Sequence, residues 1–159
     1  MFPRRILILS AIVAALAGCA TSSGPTSVAD TLAAQPQLST FNGLVAKAGL
    51  AETLKATGPY TVFAPSNEAF AKVPAKTMDQ LGQDPAKLKA VLSYHMIPGK
   101  LMAADIKNGN QKTVNGANLA LSKAGDFVTV EEALVQTADI SATNGVVHIV
   151  DNVLIPPAK

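Results

Sequence analysis

The chain has 159 residues, of which 48% are apolar and 15% charged, a balance that excludes a disordered protein and suits one domain with its own core. It carries 13 basic and 11 acidic residues, and with Arg4 and Arg5 assigned to a leader the remaining chain is formally neutral. A neutral chain has no long-range field to gather nucleic acid, and its single cysteine rules out an internal disulfide framework.

Residues 1–18 read as a secretory leader. Arg4 and Arg5 supply its positive end, and Ile6 to Ala17 is an apolar run without charge. That run is too short to span a membrane, which takes ~20 apolar residues. Leu16-Ala17-Gly18-Cys19 follows at once and resembles the lipobox of bacterial lipoproteins. The resemblance implies cleavage before Cys19, acylation of Cys19 (palmitate among the chains) and attachment to a membrane through that lipid. Two or more acyl chains anchor stably where one does not. Ala20 stands where inner-membrane lipoproteins often carry Asp, which implies sorting to the outer membrane. Residues 19–27 then form a lipidated, flexible tether, and 28–159 one domain, expected to be monomeric.

Along that domain the local signals are helical first. Ser27 is placed to cap a helix from Val28. Leu38, Phe41, Leu44, Val45 and Ala48 recur at helical spacing up to Gly49, with Asn42-Gly43 interrupting the pattern, and Leu50 to Gly58 adds a short helical turn. Gly58-Pro59 breaks it. Tyr60 to Ala64 is a β-prone run ended by Pro65, and Ser66 can cap a short helix through Phe70. Asp84 followed by Pro85 starts another helix, with Leu88, Val91 and Leu92 as its buried stripe. Tyr94 to Ile97 is β-prone. From Asn108 the pattern is β throughout. Asn108-Gly109, Asn115-Gly116 and Asn144-Gly145 are hairpin-type pairs, separating strands at 119–122, 126–131, 133–140 and 145–155. In the second of these Phe127, Thr129 and Glu131 share one face, and Val128 and Val130 the other. Helices followed by strands predict an α+β fold.

Catalytic motifs are missing. The two histidines, His95 and His148, are far apart, and the chain holds no His-Glu-x-x-His, Cys-x-x-Cys, Gly-x-Ser-x-Gly or phosphate-binding glycine loop. A spatial triad needs no local motif and stays open at this level. His148 lies in Val146-Val147-His148-Ile149-Val150, where alternation puts Val146, His148 and Val150 on one face. Such a histidine is expected to be neutral and partly buried with hydrogen-bonded nitrogens, and His95 reads the same way. The chain is therefore expected to be non-enzymatic, with no cofactor and no metal.

Three segments together resemble the fasciclin-like (FAS1) domain family. Thr61-Val62-Phe63-Ala64-Pro65 with Asn67, Ala69 and Phe70 is similar to its first motif. Tyr94-His95 followed by Gly99 is similar to its Tyr-His segment. Asn144-Gly145 with His148, Asp151, Val153-Leu154 and Pro156 is similar to its second motif. The resemblance runs from about Ser27 to Pro157. It implies a β-wedge or sandwich with helices packed on it, and adhesion rather than catalysis. It also implies interaction roles for Tyr94, His95, Asp139 and Ile140, and structural roles for Thr61, Phe63, Pro65, Asn67, Phe70, Asn144, Gly145 and His148. Buried packing is the competing reading for Tyr94, His95 and Ile140, and a strand-ending role for Asp139. The expected function is adhesion through a protein or glycan partner at the cell envelope. The rival is a periplasmic binder of an apolar or sugar ligand.

Overall fold

Ser27 does cap the first helix. Its hydroxyl accepts from the Asp30 amide at 3.2 Å while the Asp30 carboxylate accepts from the Ser27 amide at 3.2 Å, a reciprocal cap that starts α1 (Val28–Ala34). The computed structural model describes residues 26–56 and 58–156, so the leader, Cys19 and the tether before Thr26 lie outside the described residues. α1 buries Val28, Ala29 and Leu32; α2 (Ser39–Lys47) buries Phe41 and Val45; α3 (Ala51–Lys55) buries Leu54. β1 (Tyr60–Pro65) follows, then α4 (Asn67–Lys72), capped by Ser66 through the Ala69 amide at 3.3 Å. α5 (Ala75–Gln83) was not foreshadowed, because its only fully buried residue is Leu81 and one apolar position makes no stripe. α6 (Pro85–Tyr94) starts where Asp84 accepts from the amides of Ala86 and Lys87.

The β-prone reading of Tyr94 to Ile97 is corrected in part. Tyr94 ends α6, His95 is its C-cap with its amide on Val91 and Leu92 carbonyls, and β2 is only Met96–Pro98. Helical backbone bonds outweigh β propensity there. The remaining strands are β3 (Gly109–Lys112), β4 (Asn118–Ala124), β5 (Phe127–Val130), β6 (Ala133–Ala142) and β7 (Gly145–Val150). The last ends five residues before the expected limit, since Asp151 turns away to bond Leu134.

The seven strands lie in the order β2-β1-β7-β6-β5-β4-β3. Only β1 and β7 pair in parallel, from Tyr60 beside Gly145 to Pro65 beside Val150. Both strands are buried on both faces, as parallel strands require. On one side Val62, Ala64, Val147 and Ile149 join the helices in a first core. On the other, Phe63 and Val150 join Leu119, Leu121, Val128 and Val130 of β4 and β5 in a second. β6 bends between the layers through irregularities at Val135/Thr137 and Thr137/Ile140. The result is the expected α+β wedge, helical in its N-terminal part and β-rich in its C-terminal part.

The Asn-Gly pairs serve different ends. Asn115-Gly116 is a turn with Gly116 at φ 86°. In Asn144-Gly145 the turn residues are Thr143 and Asn144, and Gly145 is already paired with Ala142 as the first residue of β7. Its need for glycine is steric: a Cβ there would stand 2.0 Å from the Tyr60 carbonyl oxygen and 2.9 Å from a Val28 methyl. Gly145→Ala is expected to force β1, β7 and α1 apart and cost about 3 kcal/mol or more. An unchanged midpoint in urea denaturation would refute so close a contact.

Candidate functional site

The two outer motifs meet through β1 and β7, and each carries an asparagine that ties a helix to the sheet. Asn67 accepts from the Thr40 amide at 3.0 Å and donates to the Pro36 carbonyl at 3.1 Å, holding the start of α2. Asn144 accepts from the Val28 amide at 2.8 Å and donates to the carbonyls of Leu54 at 2.6 Å and Ala56 at 3.0 Å. One amide group thus satisfies the first turn of α1 and the last turn of α3, ends that carry unpaired backbone groups. Ser66 caps the helix that buries Phe70 in the first core, and Pro65 closes β1.

His148 stands beside Phe63 in the parallel register and stacks on its ring, with centroids 5.3 Å apart and planes at 23°. Its Nδ1 accepts from the Asp139 amide at 3.2 Å, so Nε2 carries the proton and donates to the Leu101 carbonyl at 2.8 Å. The same loop is held by Thr61, whose hydroxyl donates to the Gly99 carbonyl at 2.7 Å and accepts from the Leu101 amide at 2.8 Å. Asp139 sits at φ 58°, a left-handed conformation uncommon outside glycine, and its carboxylate accepts from the Ala103 amide at 2.7 Å. The β6 bulge is therefore fixed from inside by an imidazole and from outside by a loop amide. Asp139 is exposed; Ile140 is half-buried against the first core.

Tyr94 and His95 are buried. The Tyr94 hydroxyl donates to the Glu131 carboxylate and lies 3.1 Å from the Asn118 carbonyl. Burial, and then that carboxylate, push its pKa well above the usual phenol range. Glu131 occupies φ 55° in the turn from β5 to β6. The sequence pattern sets Glu131 on the strand face with Phe127 and Thr129, but β5 ends at Val130 and Glu131 belongs to the turn, which carries neither glycine nor asparagine to signal it. His95 packs its ring 5.9 Å from Phe41, in the first core rather than the second. Its Nε2 accepts from the Leu154 amide at 3.0 Å, and Nδ1–H donates to the Val91 carbonyl at 2.8 Å. Burial holds His95 down to about 4, against a small opposing effect of the Val91 bond. His148 is lowered too, by burial, opposed by the Leu101 carbonyl and the Asp139 charge.

The four residues expected to interact thus divide into a buried pair and a surface pair, and no hydrogen bond joins one pair to the other. Two grooves flank the chain's last described residues. One, of 570 Å³, is lined by Lys72, Glu131, Glu132 and Leu154, among others. The other, of 590 Å³, lies between α5 and α6 over Leu81, Val91, Ala117 and Ile155. Among the described residues no three His, Cys, Asp or Glu side chains gather as metal ligands, and no helix is long and apolar enough to cross a membrane.

Fold and site together define a helix-backed sheet wedge whose motif residues bind its own layers together. A family model described as the Fasciclin domain matches residues 36–156, and the chain belongs to that family. The protein sll1483 of Synechocystis sp. is 39% identical over 146 residues, spanning 91% of this chain and 81% of its own. The cell surface glycolipoprotein MPB83 of Mycobacterium bovis is 37% identical over 83% of this chain and 61% of its own. The transforming growth factor-beta-induced protein ig-h3 of Sus scrofa is 38% identical over 74% of this chain, but only 17% of its own length is matched. Among solved structures, a FAS1 domain pair from the insect cell adhesion molecule Fasciclin I aligns with a TM-score of 0.61 at 25% identity, over 77% of this chain and 46% of that one.

Both imidazoles are depressed in the fold, so the unfolded chain takes up protons first. The stability gained by burying neutral His95 is whole above pH 6.5 and is lost as pH falls toward about 4, with His148 acting in the same direction. Urea denaturation at pH 7.5 and 4.5 is expected to show a loss of about 3 kcal/mol from His95, reduced in His95→Gln. Equal stability at the two pH values would contradict neutral burial.

Proposed function

We propose that this chain is a lipid-anchored adhesion module of the bacterial cell envelope, held by acyl chains on Cys19 and contacting a protein or glycan through its fasciclin domain. The observation that carries this reading is the commitment of both histidines. Each imidazole is buried with both nitrogens bonded to backbone, and the Tyr94 hydroxyl is spent on Glu131, an arrangement made for holding layers together rather than for turnover. The names of relatives lend support: one is a cell surface glycolipoprotein, and the domain pair comes from an adhesion molecule. In this reading Asp139 and Ile140 form part of the contact rim, and Tyr94 and His95 act from within by fixing the strands. Ala20 after the acylated cysteine favours the outer membrane.

Metabolic labelling with a fatty acid is expected to mark the wild type and not Cys19→Ala; labelling of both ends the anchor. Capture on immobilised envelope and matrix fractions is expected to retain the domain and to weaken at least tenfold in Asp139→Ala. No retention on any fraction argues against adhesion. A second reading, binding of a small apolar ligand, is favoured by the 590 Å³ groove with its Leu81, Val91 and Ile155 floor. Native mass spectrometry of protein purified from its own host should then show an added mass, and bare protein in every preparation would count against it.

A further inference from the structure

After β7 the chain runs from Asp151 to Pro156 without helix or ladder. The start of this strap is held firmly. Asp151 exchanges backbone and side-chain bonds with Leu134, and Lys72 donates to its carbonyl at 2.9 Å and stands 3.7 Å from its carboxylate. Beyond Val153 the hold is different. Val153 enters the first core and Leu154 the second, so the strap closes the seam between them. Among the described residues, one hydrogen bond fixes its backbone past Val153, and that bond runs from the Leu154 amide to Nε2 of His95. Ile155, still largely exposed, lines both grooves and separates them.

That anchor depends on a lone pair. His95 keeps its proton on Nδ1, facing Val91, and offers bare Nε2 to Leu154. An imidazolium has no acceptor nitrogen, so a second proton would set N–H against N–H at 3.0 Å. We propose that His95 and residues 153–156 form a proton-operated latch: one proton taken up by His95 releases the strap, joins the two grooves and uncovers Val153 and Leu154. This goes beyond the adhesion reading and does not rest on it.

The surroundings of His95 favour such a switch. Phe41 faces it from α2, Val91 from its own helix, Leu154 from the strap, and the Phe63 amide of β1 takes its carbonyl. Charged groups stand along the strap rather than on the ring: Lys72 and Asp151 at its start, Glu131 and Glu132 across the first groove. Tyr94, next in sequence, turns into the second core toward Glu131. Closed, the ring stays neutral down to about 4; once the strap lifts, water returns it toward 6.5. Between those values protons favour the open form. β1 and β7 keep their own ladder meanwhile, so opening is local.

Amide hydrogen exchange followed by NMR on the purified full-length protein tests this. After correction for intrinsic rates, protection at Leu154 is expected to fall about tenfold per pH unit between pH 6 and 4.5 and to be insensitive to low urea, while Val147 and Ile149, which exchange with global unfolding, stay better protected at each pH and lose protection as urea is added. His95→Gln, which can accept from Leu154 and donate to Val91 without titrating, is expected to flatten the slope, and Asp151→Asn to preserve it. Protection at Leu154 that ignores pH, or that equals Val147 in size and in urea dependence, overturns the proposal. So does a slope kept in His95→Gln or lost in Asp151→Asn. If His95→Gln does not fold, the wild-type ring signals decide: loss of Leu154 protection must track protonation of His95, and a transition that follows another group refutes the latch.

Discussion

The parallel pairing of β1 with β7 is the contact on which the rest of the molecule depends. It joins residues some 85 positions apart, and its register sets Phe63 beside His148 and Tyr60 beside Gly145. Parallel pairs cannot be closed by a tight turn, so everything between them must cross over, and the helices and remaining strands cover both faces as they do. The first turn of α1 sits on the same junction, because a Cβ on Gly145 would strike both the Tyr60 carbonyl and Val28. Loss of that glycine is therefore felt by the sheet and by the first helix together.

Around this pair, polar groups are used as ties between layers. Asn144 bonds two helices at once, Asn67 holds the start of a third, and each histidine accepts one backbone amide and donates to one backbone carbonyl. No buried side-chain nitrogen or oxygen among the described residues is left without a partner. An apolar core built largely of Val, Leu, Ile and Ala packs well in several registers. Satisfying every buried donor and acceptor admits far fewer, since each misplaced group would pay a desolvation penalty.

The same ties reach the surface. The Asp139 bulge is shaped by a buried imidazole, and the strap that divides the grooves is pinned by the other. A change of partner or protonation inside can thus alter the geometry presented outside.

Much of the fold was legible locally. Ser27, Ser66 and Asp84 act as the helix caps their chemistry suggests, and the alternation holds from Phe127 to Val130, with Val128 and Val130 inside. The neutral, hydrogen-bonded state of both histidines was also readable from their apolar flanks. Less was legible where a residue answers to distant neighbours. α5 lacks a stripe of its own, Tyr94 and His95 stay with the helix before them, and Glu131 turns the chain without a turn residue's signature. By itself the sequence determined the caps, the alternation and the polar residues destined for burial, because those follow from bonds within a few positions. Only the tertiary structure decided which partners they meet: His148 reaches a carbonyl 47 positions away, and His95 an amide 59 away. Chain closure over such distances is settled by how the layers pack, and no local pattern encodes it.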